Sequence, residues 1–337
     1  MTLSCYSPLA TWRGIDYDTG EVSWHFLGKY DPERAKVDND YNYKNGEFLP
    51  TYYKIPCGRC LGCKLDYSRS WADRMLMEYY TFGKKAIFLT LTYNDANLPV
   101  VFDSNDSPIY GTLRKKDLQD FIKRLRFHFG ETKIRYFACG EYGSPERTFR
   151  PHYHLIVFGL FCEQFLDRYV VQKNEIGQLS YSSKEIEALW PFGFISFSQV
   201  SFQTMSYVSR YSAKKVFGDN LRPGIDAEET FVCMSRRPGL GHDFIMQNDD
   251  FFKRRKMFLN DGQTVKTVYF PRYGNKILDK DNSIDYYEHV RSSVDLSVDR
   301  DLLKLWKTDL PYDQMLAVEE REKQVKVARL LRHRKEI

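Results

Sequence analysis

Apolar residues recur along this chain with two different periods, and the switches between them mark out the elements. "AIFLTLTY" (86–93), "KIRYFACGEYG" (133–143), "HYHLIVFG" (152–159) and "FISFSQV" (194–200) are short runs rich in β-branched and aromatic residues. Such runs predict strands. Other segments carry the helical period. In "YSRSWADRMLMEYYTFG" Trp71, Met75 and Tyr79 recur every four residues, and Gly83 follows the end. "KKDLQDFIKRLRFHFG" gathers Leu118, Phe121, Ile122, Leu125 and Phe129 into one stripe closed by Gly130. "SKEIEALWPFG" predicts a short helix stopped by Pro191, and "QTMSYVSRYSAKKVFG" a longer one stopped by Gly218.

After the first helix the order is strand, helix, strand, strand, helix, strand, helix. Consecutive strands with little chain between them pair antiparallel. The expectation is an α+β domain, an antiparallel sheet with helices packed on it. Upstream, to about Tyr53, the chain is rich in Tyr, Asp, Asn and Gly and reads as loops and short strands. Downstream of "MSRRPGLG" the pattern weakens. "KRRK" (253–256) is a basic knot, "TVKTVYF" suits one more strand, and "AVEEREKQVKVARLLRHRKEI" reads as a charged helix. That helix has its acids early and its bases late, as the helix dipole prefers. The expected division is an N-terminal Cys-rich segment (1–63), a sheet domain (64–241) and a basic, helical C-terminal region (242–337).

Composition adds bounds. The chain has 337 residues, 42% hydrophobic and 28% charged, as in a soluble globular protein. Its net charge of +5 permits an anionic partner without requiring one. Aromatics make up 16%, enough to fill cores and also to stack on unpaired bases. No apolar run approaches bilayer length, and the N-terminus lacks the pattern of a signal peptide. The expectation is a cytoplasmic protein without membrane contact. Seven cysteines, three of them clustered, point in a reducing compartment to metal binding or structural thiols.

The candidate chemistry begins at "RPHYHLIVFG". Residues two apart on a strand share a face, so His152 and His154 project together and Tyr153 points away. Two imidazoles so placed can share a divalent ion. Seven histidines in 337 positions give roughly 0.15 chance pairs of this spacing, so the pair alone decides little. Glu141, at the end of the preceding strand, returns beside them if the two strands form a hairpin. The bland reading makes Glu141 a solvated turn residue. Further on, Tyr207, Tyr211 and Lys214 in "YVSRYSAKK" fall on one helix face. A phenol can act as a nucleophile if a cation and a polarised phosphate assist it. The alternative is that both tyrosines pack on the sheet. Jointly the motifs are more specific than singly, because phosphodiester transesterification needs all three: a divalent metal such as Mg²⁺ or Mn²⁺, a nucleophile and a positive charge.

"CGRCLGC" places Cys57, Cys60 and Cys63 at the spacing of a metal knuckle. A tetrahedral zinc site needs a fourth ligand, and Cys5 is the candidate. Free thiols and an iron–sulfur cluster remain alternatives.

"PHYHLIVFG" followed by "YVSRYSAKK" resembles the HUH endonucleases, and specifically the replication initiators of microviruses, small single-stranded DNA phages. "SCYSP", "PCGRCLGCKLDYSRSWADRMLMEY" and "SRRPGLG" are similar to the gokushovirus branch, and "FLTLTY" resembles the family's first motif. The resemblance covers Cys5 to about Gly241. It implies an RRM-like nuclease sheet and rolling-circle replication. Tyr207 or Tyr211 would attack a phosphodiester of single-stranded origin DNA, leaving a 5′-phosphotyrosine and a free 3′-hydroxyl. The second tyrosine would then release and circularise the product strand. His152, His154 and Glu141 would hold the catalytic ion. A host DNA polymerase would extend the 3′-hydroxyl in the cytoplasm of a bacterial cell. No G-x-x-x-x-G-K-[ST] loop occurs, so a host helicase would open the duplex. Arg147, Arg150 and Lys215 are candidates for DNA contact. A relaxase or transposase of the same chemistry, and a non-enzymatic zinc-containing nucleic-acid-binding regulator, are the competing readings.

Overall fold

The computed structural model describes residues 4–15, 22–44, 52–102, 108–142, 150–173, 177–216, 227–278 and 284–333. The chain divides into two compact units, one made of residues 1–66 with 272–337 and the other of residues 67–271.

The first unit contains β1 (Leu9–Ile15), β2 (Val22–Lys29), α1 (Pro32–Lys44) and β3 (Tyr53–Ile55). β1 pairs antiparallel with both other strands. Helix α2 (Leu61–Thr81) begins in this unit, inside the Cys motif and six residues before the helix expected from periodicity. Helix α1 stands where loops and short strands were expected; it is so rich in Asp, Asn, Lys and Tyr that no apolar stripe marks it.

The second unit is built on a sheet. Its elements are β4 (Ala86–Tyr93), β5 (Val100–Phe102), β6 (Pro108–Gly111), α3 (Lys115–His128), β7 (Arg135–Tyr142) and β8 (Pro151–Phe158). Then follow β9 (Tyr169–Lys173), β10 (Leu179–Ser182), α4 (Lys184–Glu187), β11 (Gly193–Gln199), α5 (Phe202–Val216) and β12 (Phe231–Met234). The unit ends with α6 (His242–Met246), α7 (Asp250–Arg254), β13 (Lys256–Asn260) and β14 (Val265–Tyr269). Among the described residues seven strands form one antiparallel sheet in the order β12-β7-β8-β4-β11-β10-β9. This is the α+β architecture the alternation of periods implied. Helix α4 spans only four residues.

Register assigns the two faces. Leu89, Leu91 and Tyr93 of β4 and Tyr153, Leu155 and Val157 of β8 point to one side and are fully buried. They pack with Leu118, Phe121, Ile122 and Leu125 of α3 and with Trp190. Each such side chain contributes about 1.5–3 kcal/mol by leaving water. The other face is covered by α2 and α5. Trp71 meets Phe137 with ring centroids 5.4 Å apart. Ser68 and Ser209 join the two helices by a 3.0 Å hydroxyl contact. Buried Arg135 and Glu78 form an ion pair that ties β7 to α2.

Returning to the first unit, α8 (Arg272–Leu278), α9 (Ile284–Leu305) and α10 (Tyr312–His333) complete it. Val298, Leu302, Met315 and Leu316 from α9 and α10 pack with Ala10, Tyr30 and Tyr52. Lys54 reaches into this core and bonds Asp301 at 2.7 Å and the Tyr312 hydroxyl at 3.0 Å.

Candidate active site

Opposed residues on antiparallel strands share a face. Glu141 of β7 is the register partner of His152 of β8, and Cys139 that of His154. On the other flank of β8, Thr90 opposes His154 and Thr92 opposes His152. The pleat therefore delivers Glu141, His152 and His154 to the face that α5 covers. The hairpin expected from sequence is present, and Glu141 is buried rather than a solvated turn residue.

One carboxylate oxygen joins the three. Glu141 Oε1 lies 2.8 Å from His152 Nε2 and 2.9 Å from His154 Nε2. The far nitrogens are engaged too. His152 Nδ1 is 2.9 Å from the Arg150 carbonyl, and His154 Nδ1 is 3.0 Å from Thr90 Oγ1. A carbonyl only accepts, so His152 Nδ1 carries a proton. The Nε2 of a neutral ring then turns a lone pair toward a carboxylate oxygen. That arrangement requires a cation between them or a second proton on the ring. The ligand atoms of Glu141, His152 and His154 all lie within 4.8 Å of one another, so the three could hold a metal ion. Nitrogen and carboxylate donors suit a divalent ion with open positions.

The electrostatics agree with that reading. Burial pushes the Glu141 carboxyl up, but hydrogen bonds from His152 and His154 outweigh it and hold it at about 2. Burial lowers His152, yet its bonds to Glu141 and to the Arg150 carbonyl leave it raised. For His154 burial wins over the Glu141 contact, and its pKa is lowered.

Helix α5 brings the phenol. The Tyr207 hydroxyl lies 3.2 Å from Glu141 Oε1 and 3.3 Å from His154 Nε2. Phe88 stacks on the His154 ring at 5.5 Å and meets the Tyr207 ring edge-on. The start of α5 is fixed twice. Ser201 and Thr204 exchange side-chain and backbone bonds as a capping box. Buried Asp261, from the β13–β14 turn, accepts the Phe202 amide at 3.1 Å.

Tyr211, Lys214 and Lys215 follow on the same helix, with side chains outside the described residues. Arg147 also lies outside the described residues. The Arg150 guanidinium donates to the Tyr93 carbonyl at 2.9 Å and pairs with Asp95 at 2.5 Å. Tyr153 points to the opposite face, where its hydroxyl sits 2.7 Å from that of Tyr93. The sequence reading missed Thr90, Phe88 and Asp261. The first two sit in "FLTLTY", but only the pairing of β4 with β8 shows which of its alternating residues face the histidines.

A second cluster lies in the first unit. The sulfurs of Cys5, Cys57, Cys60 and Cys63 all fall within 4.8 Å of one another. Cys57 to Cys63 and Cys60 to Cys5 are each 3.9 Å. A tetrahedron with metal–sulfur bonds of about 2.3 Å has edges of about 3.8 Å, whereas a disulfide is about 2.05 Å. Backbone amides of Cys57, Arg59, Cys60, Cys63 and Tyr6 point at these sulfurs from 3.2–3.5 Å. A bond from Cys63 holds the Cys5 thiol at about 5 against burial, while Cys63 itself is pushed up. Burial also raises Cys60. The pocket favours one thiolate, and further negative charge there needs a cation. Two glycines build the knuckle. Gly58 has φ +77°, and a Cβ on Gly62 would sit 1.4 Å from the Ser4 carbonyl oxygen.

Comparison with known proteins agrees with the resemblance read from the sequence. Residues 86–216, the segment from β4 to the end of α5, match the family of the phage replication-associated protein ORF2. The chain is 27% identical over 275 residues to "Replication-associated protein ORF2" of Spiroplasma virus 4, covering 80% of this chain and 76% of that one. It is 35% identical over 175 residues to "Replication-associated protein VP4" of Bdellovibrio phage phiMH2K, about half of each chain. It is 29% identical over 255 residues to "Replication-associated protein ORF4" of Chlamydia phage 1, 71% of this chain and 58% of that one. No solved structure gives a significant match. The expected kinship with phage replication initiators is thereby borne out. No helix among the described residues is long and apolar enough to cross a membrane.

Proposed function

We propose that this chain is a rolling-circle replication initiator, a nickase and strand transferase acting on single-stranded origin DNA. The observation that carries the reading is the Tyr207 hydroxyl, 3.2 Å from Glu141 and 3.3 Å from His154. The phenol oxygen attacks the scissile phosphorus, a phosphotyrosine bond forms, and the bond from phosphorus to the 3′ oxygen breaks. The phenol proton has Glu141 Oε1 as its nearest acceptor, and the departing 3′ oxygen takes up a proton from water. When bound, Mg²⁺ or Mn²⁺ on Glu141, His152 and His154 supplies Lewis-acid polarisation of that phosphate. Lys214 provides positive charge near the reacting group, and Tyr211 serves as the second nucleophile that releases and circularises the product. Arg147, Arg150 and Lys215 contribute to the DNA contact. For Arg150 this requires leaving Asp95. A zinc ion on Cys5, Cys57, Cys60 and Cys63 has an architectural part. A host helicase and DNA polymerase, in the cytoplasm of a bacterial cell, complete the cycle.

The test is incubation with single-stranded origin DNA and Mn²⁺, followed by denaturing electrophoresis. A covalent adduct that persists in Tyr207→Phe or Tyr211→Phe alone and vanishes in the double variant supports the assignment. An adduct unchanged in the double variant overturns it. A protein that merely binds nucleic acid gives no adduct at all.

A further inference from the structure

A groove at the β12 edge of the sheet carries a concentration of positive charge that the chemistry above does not use. It has a volume of about 600 Å³ and is lined by Arg126, Lys133, Tyr136, Ser235, Arg236 and Arg237, among others. No acidic residue is among its described lining residues. Arg135 also borders it, but its charge is matched by Glu78. The whole chain has 50 Lys and Arg against 45 Asp and Glu, so a groove with one sign of charge is a local departure from near balance.

The cations differ in how they are held. Arg126 lies over the Tyr136 ring at 5.5 Å and bonds the Ile134 carbonyl, which fixes its position. Lys133 makes a long 3.8 Å ion pair with Asp243. Arg236 and Arg237 are exposed on the segment after β12 and have no acidic partner among the described residues. Beside them Ser235 is a hydroxyl donor, already bonded to the Tyr136 amide.

This inventory fits phosphate rather than bases. Contacts that read single-stranded bases use exposed aromatic faces. Here the aromatic side chain, Tyr136, is half-buried under Arg126. What remains is guanidinium, ammonium and hydroxyl, the groups that take phosphodiester oxygens without regard to sequence. The groove opens beside residues 134–136 of β7, and Glu141 lies near the other end of that strand. Six residues at about 3.3 Å each put some 20 Å between Arg135 and Glu141. That is about six nucleotides of a B-form strand.

We propose that this groove binds the sugar–phosphate backbone of duplex DNA lying beyond the nicked nucleotides, with Arg236 and Arg237 as its two principal phosphate contacts. The proposal rests on the nickase reading for its placement relative to the scissile bond, but binding to a duplex can be measured without cleavage.

The experiment uses the full chain and a 20-base-pair duplex of arbitrary sequence, with binding followed by fluorescence anisotropy at a series of salt concentrations. In the Arg236→Ala/Arg237→Ala double variant the slope of log affinity against log salt becomes shallower by roughly two, about 0.9 for each lost phosphate contact. Affinity near physiological salt falls roughly tenfold. Arg236→Lys/Arg237→Lys keeps most of the slope, which separates lost charge from lost fold. A slope unchanged in the alanine variant overturns the proposal. So does a loss confined to a single strand of the same length, because it assigns the groove to unpaired DNA. Adduct formation on a single-stranded origin oligonucleotide too short to reach the groove stays within twofold of wild type. If the wild type itself forms no adduct, the nickase reading fails while the duplex measurement still decides this one.

Discussion

Glu141 and His152 are register partners on neighbouring antiparallel strands, and the carboxylate oxygen of one stands 2.8 Å from Nε2 of the other. Because the same oxygen is also 2.9 Å from His154 Nε2, Glu141 is the hub of the site rather than its third member. Glu141→Gln keeps the size and removes the charge. Mn²⁺ affinity, read by electron paramagnetic resonance of free ion, is expected to fall more than about 100-fold, and adduct formation with it. Tyr207→Phe is expected to leave Mn²⁺ affinity within about twofold, since the phenol is assigned to nucleophilic attack and not to holding the ion.

Thr90 fixes the rotation of the His154 ring through Nδ1. Thr90→Val preserves the β-branched shape and deletes that partner. A loss of about 10-fold in Mn²⁺ affinity is expected, the range for an outer-shell partner of a ligating histidine. Thr90→Ser restores the hydroxyl and is expected to recover most of it. Equal affinity in wild type and Thr90→Val would show that the ring needs no such support.

Gly62 admits the Ser4 carbonyl so closely that no side chain fits. Gly62→Ala therefore pushes the segment carrying Cys5 away from the other three sulfurs. Native mass spectrometry is expected to find one zinc ion per wild-type chain and a depleted ion in the variant. The melting temperature should drop by about 5 °C or more. Retention of zinc at full stoichiometry by Gly62→Ala would argue against Cys5 as the fourth ligand.

Asp73, buried on α2 beside Arg69, gives a pH signature. Burial raises its carboxyl from 3.8 to about 6, more than the Arg69 contact lowers it. The folded state thus holds this proton more tightly than the unfolded chain. Its contribution to stability is fully present below pH 3.8 and is lost as pH rises through about 6. Urea midpoints measured from pH 4 to 7 should fall less steeply on the alkaline side in Asp73→Asn than in wild type. Identical slopes would mean that Arg69 keeps Asp73 ionised throughout.

The sequence displayed the sheet's inner strands and the two long helices of the second unit because their periods are undiluted. β4, β7 and β8 are apolar on both faces or nearly so, and α3 carries a single stripe. It concealed what depends on pairing between strands far apart in the chain. Thr90 is 64 residues from His154, and nothing local ties them. Helix α1 was hidden because its polar residues show no face, and β9 because all five of its residues are exposed. The spacing of "CGRCLGC" pointed to a cluster, but the approach of Cys5 depends on contact between segments more than fifty residues apart.

The Asp261 carboxylate that receives the Phe202 amide comes from a turn 59 residues downstream. The aim of the nucleophile is thereby written partly in a hairpin that contributes nothing to the chemistry. A fragment cut after β12 would retain both histidines, Glu141 and Tyr207, yet its tyrosine helix would begin with an unanswered amide. The smallest catalytic fragment of this chain accordingly runs through the β13–β14 turn, and a trimmed nickase that looks complete on paper would fire off target or not at all.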